Sequence, residues 1–286
     1  MTALQAIELD MLRAFLRVCE QLQLRYFLVC GSALGAVKYG GFIPWDDDMD
    51  VALPRADYER FIREAPALLP PELFLQNATS DPQFPLLFSK LRHSGTTYVE
   101  ATVAHVNMHH GVYIDIFPLD GYPTEEGEQA TLEAIKASCQ KKLSCVFHIP
   151  RALRGRIGYA LRRALGYHKR TAEIVATYTE AIARYDTEQS ERWCNHGNWQ
   201  GRLEYAPREQ YGDGVMMTFE GVPVRVPQLY DAYLTQKYGD WRADPPKEQQ
   251  IGHHFYERMD LERPYTEYIK RVVRGGRELR WTAEKT

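Results

Sequence analysis

The stretch Phe27-Leu28-Val29-Cys30-Gly31-Ser32-Ala33-Leu34-Gly35-Ala36-Val37, continued by Gly40-Gly41-Phe42-Ile43-Pro44-Trp45-Asp46-Asp47-Asp48-Met49-Asp50-Val51-Ala52-Leu53, decides how the rest of the chain is read. Phe27 to Cys30 is a short apolar run that predicts a buried strand. Gly31-Ser32 breaks it, and Ala33 to Val37 predicts the first turns of a helix. A strand that runs through Gly-Ser into a helix N-terminus suits a phosphate. Glycine lets a ligand approach the backbone, N–H groups point outward, and the helix dipole favours negative charge. After the Tyr39-Gly40-Gly41 turn, four carboxylates fall within five residues. On an extended strand Asp48 and Asp50 share one face, with Met49, Val51 and Leu53 on the other. Two such carboxylates repel unless a cation lies between them, and hard oxygen donors suit magnesium or manganese. A phosphate-gripping turn followed by an acidic pair is equipment for phosphoryl or nucleotidyl transfer.

Other readings of the acidic run fit less well. Asp46-x-Asp48-x-Asp50 with Asp57 at the twelfth place imitates a calcium-binding EF-hand loop. Val51 stands where that loop needs glycine, and Val51-Ala52-Leu53-Pro54 suits a strand. A solvated acidic turn is the bland alternative.

The 286 residues suffice for a substantial core and sit near the size at which a second lobe appears. Hydrophobic residues at 44% and charged residues at 26% are ordinary for a globular protein. A net charge of −3 argues against nucleic-acid binding over the whole surface. Cys19, Cys30, Cys139, Cys145 and Cys194 lack metal-ligand spacing and are expected to be reduced and buried. Glu8 and Asp10 interrupt any leader-like N-terminus, and no apolar run is long enough to span a bilayer. A cytoplasmic protein is the expectation.

Leu4, Ile7, Met11, Phe15, Val18 and Leu22 predict an amphipathic scaffold helix, and Pro54 with Asp57 opens another. Residues 74–117 read as β-rich, with strands near Phe74-Leu75, Leu86-Phe88 and Thr97-Val99. Lys90 and Arg92 alternate onto one face, either to neutralise a diphosphate or simply as exposed cations at a strand end. In Gly111-Val112-Tyr113-Ile114-Asp115-Ile116-Phe117-Pro118-Leu119-Asp120, Asp115 projects away from the Val112, Ile114 and Ile116 face. A lone carboxylate in so apolar a strand needs a partner, and a third acidic ligand for the site is the reading. Asp120 reads as a turn cap. His105, His109 and His110 fall in the loop just before.

Glu125 to Cys145 predicts a helix. From His148 to Ala172 the tract holds Arg151, Arg154, Arg156, Arg162, Arg163, Lys169 and Arg170 and no acidic residue. Leu153, Ile157, Leu161 and Leu165 form a stripe at every fourth position. The stripe is expected to pack inward with its arginines in water; the alternative is a helix lying on an anionic surface, a peripheral membrane contact through 148–172. Ile174, Tyr178, Ile182 and Tyr185 predict another helix. Trp193 to Trp199 reads as a pocket wall, Phe219 to Pro227 as a hairpin, and Tyr230 to Tyr238 as a helix ended by Gly239.

Gly31-Ser32 with Asp48-Met49-Asp50 resembles the nucleotidyltransferase-fold pattern of a hydrophobic-Gly-Ser turn and an acidic pair. The longer run Gly31-Ser32-Ala33-Leu34-Gly35-Ala36-Val37 with Gly41-Phe42-Ile43-Pro44-Trp45-Asp46-Asp47-Asp48-Met49-Asp50 resembles the LicD/fukutin family of phosphotransferases. Lys90-Leu91-Arg92 with Thr96-Thr97, Ile114 to Asp120, Pro245-Pro246 and His253-His254 extend the likeness over most of the chain. The resemblance implies an α/β (α+β) fold: a nucleotidyltransferase-like mixed sheet with flanking helices, a helical insertion and a C-terminal lobe. The expected division is a catalytic core at 1–122, a helical region with the basic amphipathic tract at 123–200 and a C-terminal lobe completing the cleft at 201–286. It implies metal-dependent transfer of a phosphoalcohol, phosphocholine foremost, from a cytidine diphosphate (CDP)-linked donor. The acceptor would be a hydroxyl of a cell-surface glycan of lipopolysaccharide or teichoic acid type, which can be lipid-linked. Asp48, Asp50 and Asp115 would be catalytic and hold Mg2+ or Mn2+. Gly31, Ser32, Lys90 and Arg92 would bind the donor phosphates, and His109, His110, His253 and His254 would stand near the substrate. The rivals are a nucleotidyltransferase, an Asp-x-Asp glycosyltransferase and a non-catalytic metal- and nucleotide-binding protein. In such glycosyltransferases the acidic motif follows a long nucleotide-binding subdomain, whereas one strand–helix unit precedes it here.

Overall fold

A computed structural model describes residues 1–147, 152–197, 201–252, 254–272 and 279–283. The helices are α1 (Ala3–Leu22), α2 (Cys30–Lys38), α3 (Arg55–Glu64), α4 (Glu126–Leu143), α5 (Leu153–Ala164), α6 (Thr171–Ile182), α7 (Arg208–Tyr211) and α8 (Tyr230–Tyr238). The first strands are β1 (Phe27–Leu28), β2 (Asp50–Pro54), β3 (Leu73–Gln76), β4 (Ser89–His93), β5 (Thr97–Glu100), β6 (Val112–Tyr122), β7 (Arg192–Cys194) and β8 (Tyr205–Pro207). The rest are β9 (Val215–Phe219), β10 (Val222–Val226), β11 (Tyr256–Asp260), β12 (Tyr268–Val272) and β13 (Leu279–Ala283). This is the mixed α/β class the sequence predicts.

The main sheet has the order β1-β2-β6-β4-β3, and β7 with β8 continues from the far end of β6. Strand β6 is its axis. All eleven residues are buried, and it pairs parallel with β2 and antiparallel with β4. A near-continuous apolar run is what a strand covered on both faces requires. Helix α1 lies against this sheet, with Leu4, Met11, Leu12, Phe15 and Val18 buried. Thr2 caps its first turn reciprocally with Gln5. The β9–β10 hairpin turns at Glu220-Gly221, both with positive φ, and packs Phe219, Val224 and Val226 into the same core. Helices α4 and α6 form a second apolar cluster with Phe84, Tyr122 and Cys194.

Four expectations are corrected. Leu86-Phe88 is not a strand; β4 starts at Ser89. Asp48 lies in the loop before β2 rather than on the strand, because pairing begins at Asp50. Asp120 caps no turn. Strand β6 continues to Tyr122, and Asp120 sits fully buried within it, taking 2.6 Å and 2.7 Å hydrogen bonds from both arms of Arg55. The apolar stripe of α5 does not pack inward. Leu153, Ile157, Leu161 and Leu165 are 57–73% exposed, and Tyr159 is the residue the helix buries. Arg151 and the first residues of that tract, and Asn198-Trp199 of the expected pocket wall, lie outside the described residues. Trp193 is in the core, its indole N–H bonded to the Thr187 carbonyl. No described helix is long and apolar enough to cross a membrane.

Candidate active site

Strand register brings the predicted carboxylates together. Asp50 on β2 stands opposite Asp115 on β6, and Asp115 opposite Lys90 on β4. Adjacent strands run roughly 5 Å apart, so the three side chains form one row across three strands. All three are buried, and they line a cleft of about 710 Å³. Its other walls include Gly31, Trp45, Asp46, Asp48, Glu100, Tyr238 and His254.

The turn before α2 is built tightly. Cys30 has a φ of 51°, uncommon without glycine, and its N–H donates to the Tyr233 hydroxyl at 3.0 Å. Ser32 does not line the cleft; its hydroxyl oxygen accepts the Asp50 N–H at 2.8 Å and fastens α2 to β2. A Cβ on Gly31 would come within 2.7 Å of the Asp46 carboxylate, and one on Gly35 within 2.4 Å of the Gly41 carbonyl. Both glycines therefore let the acidic loop fold back against α2.

The cations are interior, not exposed at a strand end. Lys90 Nζ lies 3.1 Å from Asp115 Oδ1, 3.0 Å from Glu100 Oε1 and 3.3 Å from the Tyr113 ring centre. Arg92 shares the face of Lys90, meeting the same Glu100 and Tyr113, but does not itself line the cleft. Its guanidinium donates to Gln76, the Gly111 carbonyl and Glu100, and it is fully buried. Burial opposes the charge on Glu100, but Lys90 and Arg92 outweigh it and hold its carboxyl far below the usual range.

The acidic groups have no comparable compensation. Burial, then the charges of Asp48 and Asp115, push the Asp50 carboxyl well up. Asp115 is raised by burial against the opposing charge of Lys90. Asp46 is pushed up to about 8 by burial and by Asp48 and Asp47. Beneath the loop, Glu8 of α1 is buried and raised well above the usual range by burial and then Asp48, Asp46 and Asp47. Gln5 donates to the Asp46 carbonyl at 3.0 Å. His254 receives the loop from the other side, its Nδ1 3.1 Å from Asp47 and its Nε2 3.7 Å from Asp48. Burial disfavours its charge, but the Asp47 hydrogen bond and Asp48 raise its pKa to about 9.

Of the remaining predicted residues, His109 and His110 are packed in the interior away from the cleft. His109 stacks on Phe74 and accepts the Gly111 N–H; His110 donates to the Val106 carbonyl. Burial lowers their pKa values to about 3 and about 4. His253 lies outside the described residues. Among the described residues, potential ligand atoms of Asp47, Asp48 and His254 lie within 4.8 Å of one another, whereas Asp48, Asp50 and Asp115 do not close to that distance. Sequence reasoning missed Glu8, Gln5, Glu100 and Lys237. Glu8 and Gln5 left a signal, polar residues beside Leu4 and Leu12 on the apolar face of α1. Lys237 of α8 left none; it pairs with buried Glu204 at 2.5 Å and approaches Cys30 Sγ at 3.9 Å.

A mixed sheet that gathers acidic residues from two parallel strands at a cleft beside a Gly-Ser turn defines the class. Residues 23–142 match the LicD family, described as the LicD/FKTN/FKRP nucleotidyltransferase domain, so the likeness seen in residues 31–50 runs through the sheet that carries the site. The chain is also 28% identical over 271 residues to the lipopolysaccharide cholinephosphotransferase LicD of Haemophilus influenzae, covering 88% of this chain and 95% of the relative.

Proposed function

We propose that this chain is a phosphotransferase that moves phosphocholine from a CDP-linked donor to a hydroxyl of a lipopolysaccharide-type glycan, using a divalent cation held by Asp48, Asp50 and Asp115. The observation that carries it is the Asp50–Asp115–Lys90 row at the cleft, within the part of the chain that matches the LicD family. A relative over most of its length that is named as a lipopolysaccharide cholinephosphotransferase supports the substrate class.

The donor chemistry suits a hard divalent cation, which would have to draw the three carboxylates closer to one another than they stand. Asp115 Oδ1 is buried and accepts no hydrogen bond despite its ion pair with Lys90. The crowded carboxylates offer oxygen donors whose mutual repulsion a cation relieves. When bound there, the cation would supply charge to the donor phosphates and to the leaving nucleotide. The chain's own groups do the rest. Asp50 or Asp115 takes the proton of the acceptor hydroxyl as its oxygen attacks the phosphorus bearing choline. The bond from that phosphorus to the bridging oxygen breaks, and cytidine monophosphate leaves. Lys90, buried with its charge directed at the cleft, stabilises the phosphoryl oxygens. Phe88, Phe117, Trp45 and Tyr238 give the walls aromatic faces suited to a quaternary ammonium. The five cysteines are buried and none is in a disulfide, in keeping with the cytoplasm as the place of action.

Calorimetric titration tests the site. CDP-choline should bind with magnesium present, lose at least about tenfold in affinity with a chelator, and lose as much in Asp50→Asn. Equal binding under all three conditions rejects the metal assignment.

A further inference from the structure

Helix α5 is the feature that the catalytic reading leaves unused. On a helical projection at 3.6 residues per turn, Leu153, Ile157, Leu161 and Leu165 with Ala160 and Ala164 make one continuous apolar sector. That sector faces solvent: Leu153 is 73% and Ile157 62% exposed. The opposite side holds the helix to the protein through buried Tyr159 and through Arg163, whose guanidinium donates to the Cys145 carbonyl at 3.3 Å. Arg156 borders the apolar sector on one side, and Arg154 lies close to Leu161 within its other edge. Both are exposed, and no carboxylate occurs between positions 148 and 172.

We infer that α5 is an interfacial helix that seats the protein on a bilayer surface rich in anionic lipid, its leucines and isoleucine in the acyl boundary and its arginines at the headgroups. Charge selects this occupant. A bilayer of negative surface potential attracts each neighbouring cation, and the apolar sector gains burial that the fold does not provide. A second copy docked face to face would instead set Arg154 and Arg156 against their like, with no acid in the tract to answer them. The inference does not rest on the proposed reaction.

Flotation of the full chain with phosphatidylglycerol–phosphatidylcholine vesicles tests it, without nucleotide or metal, so its outcome is separate from that of any turnover assay. Partitioning should exceed that onto pure phosphatidylcholine by at least about tenfold and weaken with salt. Ile157→Asn with Leu161→Asn, and separately Arg154→Glu with Arg156→Glu, should each reduce it at least about tenfold. Because all four side chains are exposed, melting temperatures should match the parent. Equal partitioning onto both vesicle types, or unchanged partitioning by both variants, overturns the inference. So does a solution dimer of the parent that the Ile157→Asn, Leu161→Asn variant loses, which would give the face to a second copy.

Discussion

At the scale of single residues, the site is a set of acids held closer than their charges favour. Asp50→Asn and Asp115→Asn should each lower turnover at least about a hundredfold, through loss of a metal ligand or proton acceptor. Their metal-free melting temperatures should equal or exceed the parent's, since each removes a repelling charge from a buried cluster. Turnover near the parent's for both variants at saturating magnesium would reject the assignment. The same crowding sets a pH dependence. Asp46 holds its proton to about 8, far above its unfolded value, so its contribution to stability is lost as pH rises toward 8. His254, raised to about 9, contributes fully below 6.5 and loses that contribution as pH climbs through 9. His109, lowered to about 3, and His110 and His196, lowered to about 4, work in the opposite direction, but only below 6.5. The metal-free protein should therefore melt at least about 3 °C lower at pH 9 than at pH 6.5, and magnesium should shrink the difference. A flat profile without metal contradicts this electrostatic account. The placing of Asp50 and Asp115 on buried strands was legible because each is flanked by apolar residues at strand spacing, whereas Asp48, on the loop before β2, was read one element too far. Arg92, His109 and His110 misled because polar residues also serve to satisfy a buried interior, and only the three-dimensional partners tell the two uses apart.

At the scale of elements, the long-period patterns of α1, α8 and the β9–β10 hairpin were readable because apolar spacing and turn residues agree there. What the sequence hid was register. Nothing in residues 50, 90 and 115 says that they meet; pairing of β2 and β4 with β6 does. Asp120 shows the same limit, since its partner Arg55 is brought to it by α3 packing on the sheet. Asp120→Ala should cost about 3–5 kcal/mol by denaturant unfolding, because it strands a buried guanidinium. A loss under about 1 kcal/mol would mean that Arg55 finds water or Glu59 instead. Gly35→Ala should cost about 1–3 kcal/mol, because its Cβ would stand 2.4 Å from the Gly41 carbonyl and push the acidic loop off α2. Unchanged stability would show that the loop shifts freely.

At the scale of the whole molecule, the cleft draws on parts far apart in the chain: α2 and its loop, β2, β4 and β6, Gly197, Tyr238 of α8 and His254. The fold class was legible, and part of the late wall was too, since Gly197 of the expected pocket wall and His254 of the expected lobe line the cleft. Tyr238 was not, because the helical spacing of 230–238 does not say which early segment that helix returns to. The central claim is transfer of a phosphoalcohol, and the small product released tests it most directly. A phosphoalcohol transferase releases nucleoside monophosphate, a glycosyltransferase usually a diphosphate, and a nucleotidyltransferase pyrophosphate. Purified protein with magnesium, CDP-choline and a lipopolysaccharide acceptor should release cytidine monophosphate and leave phosphocholine on the glycan, and Asp50→Asn should abolish both. Sugar transfer with release of a nucleoside diphosphate, pyrophosphate release from a triphosphate, or nucleotide binding without any turnover would contradict it.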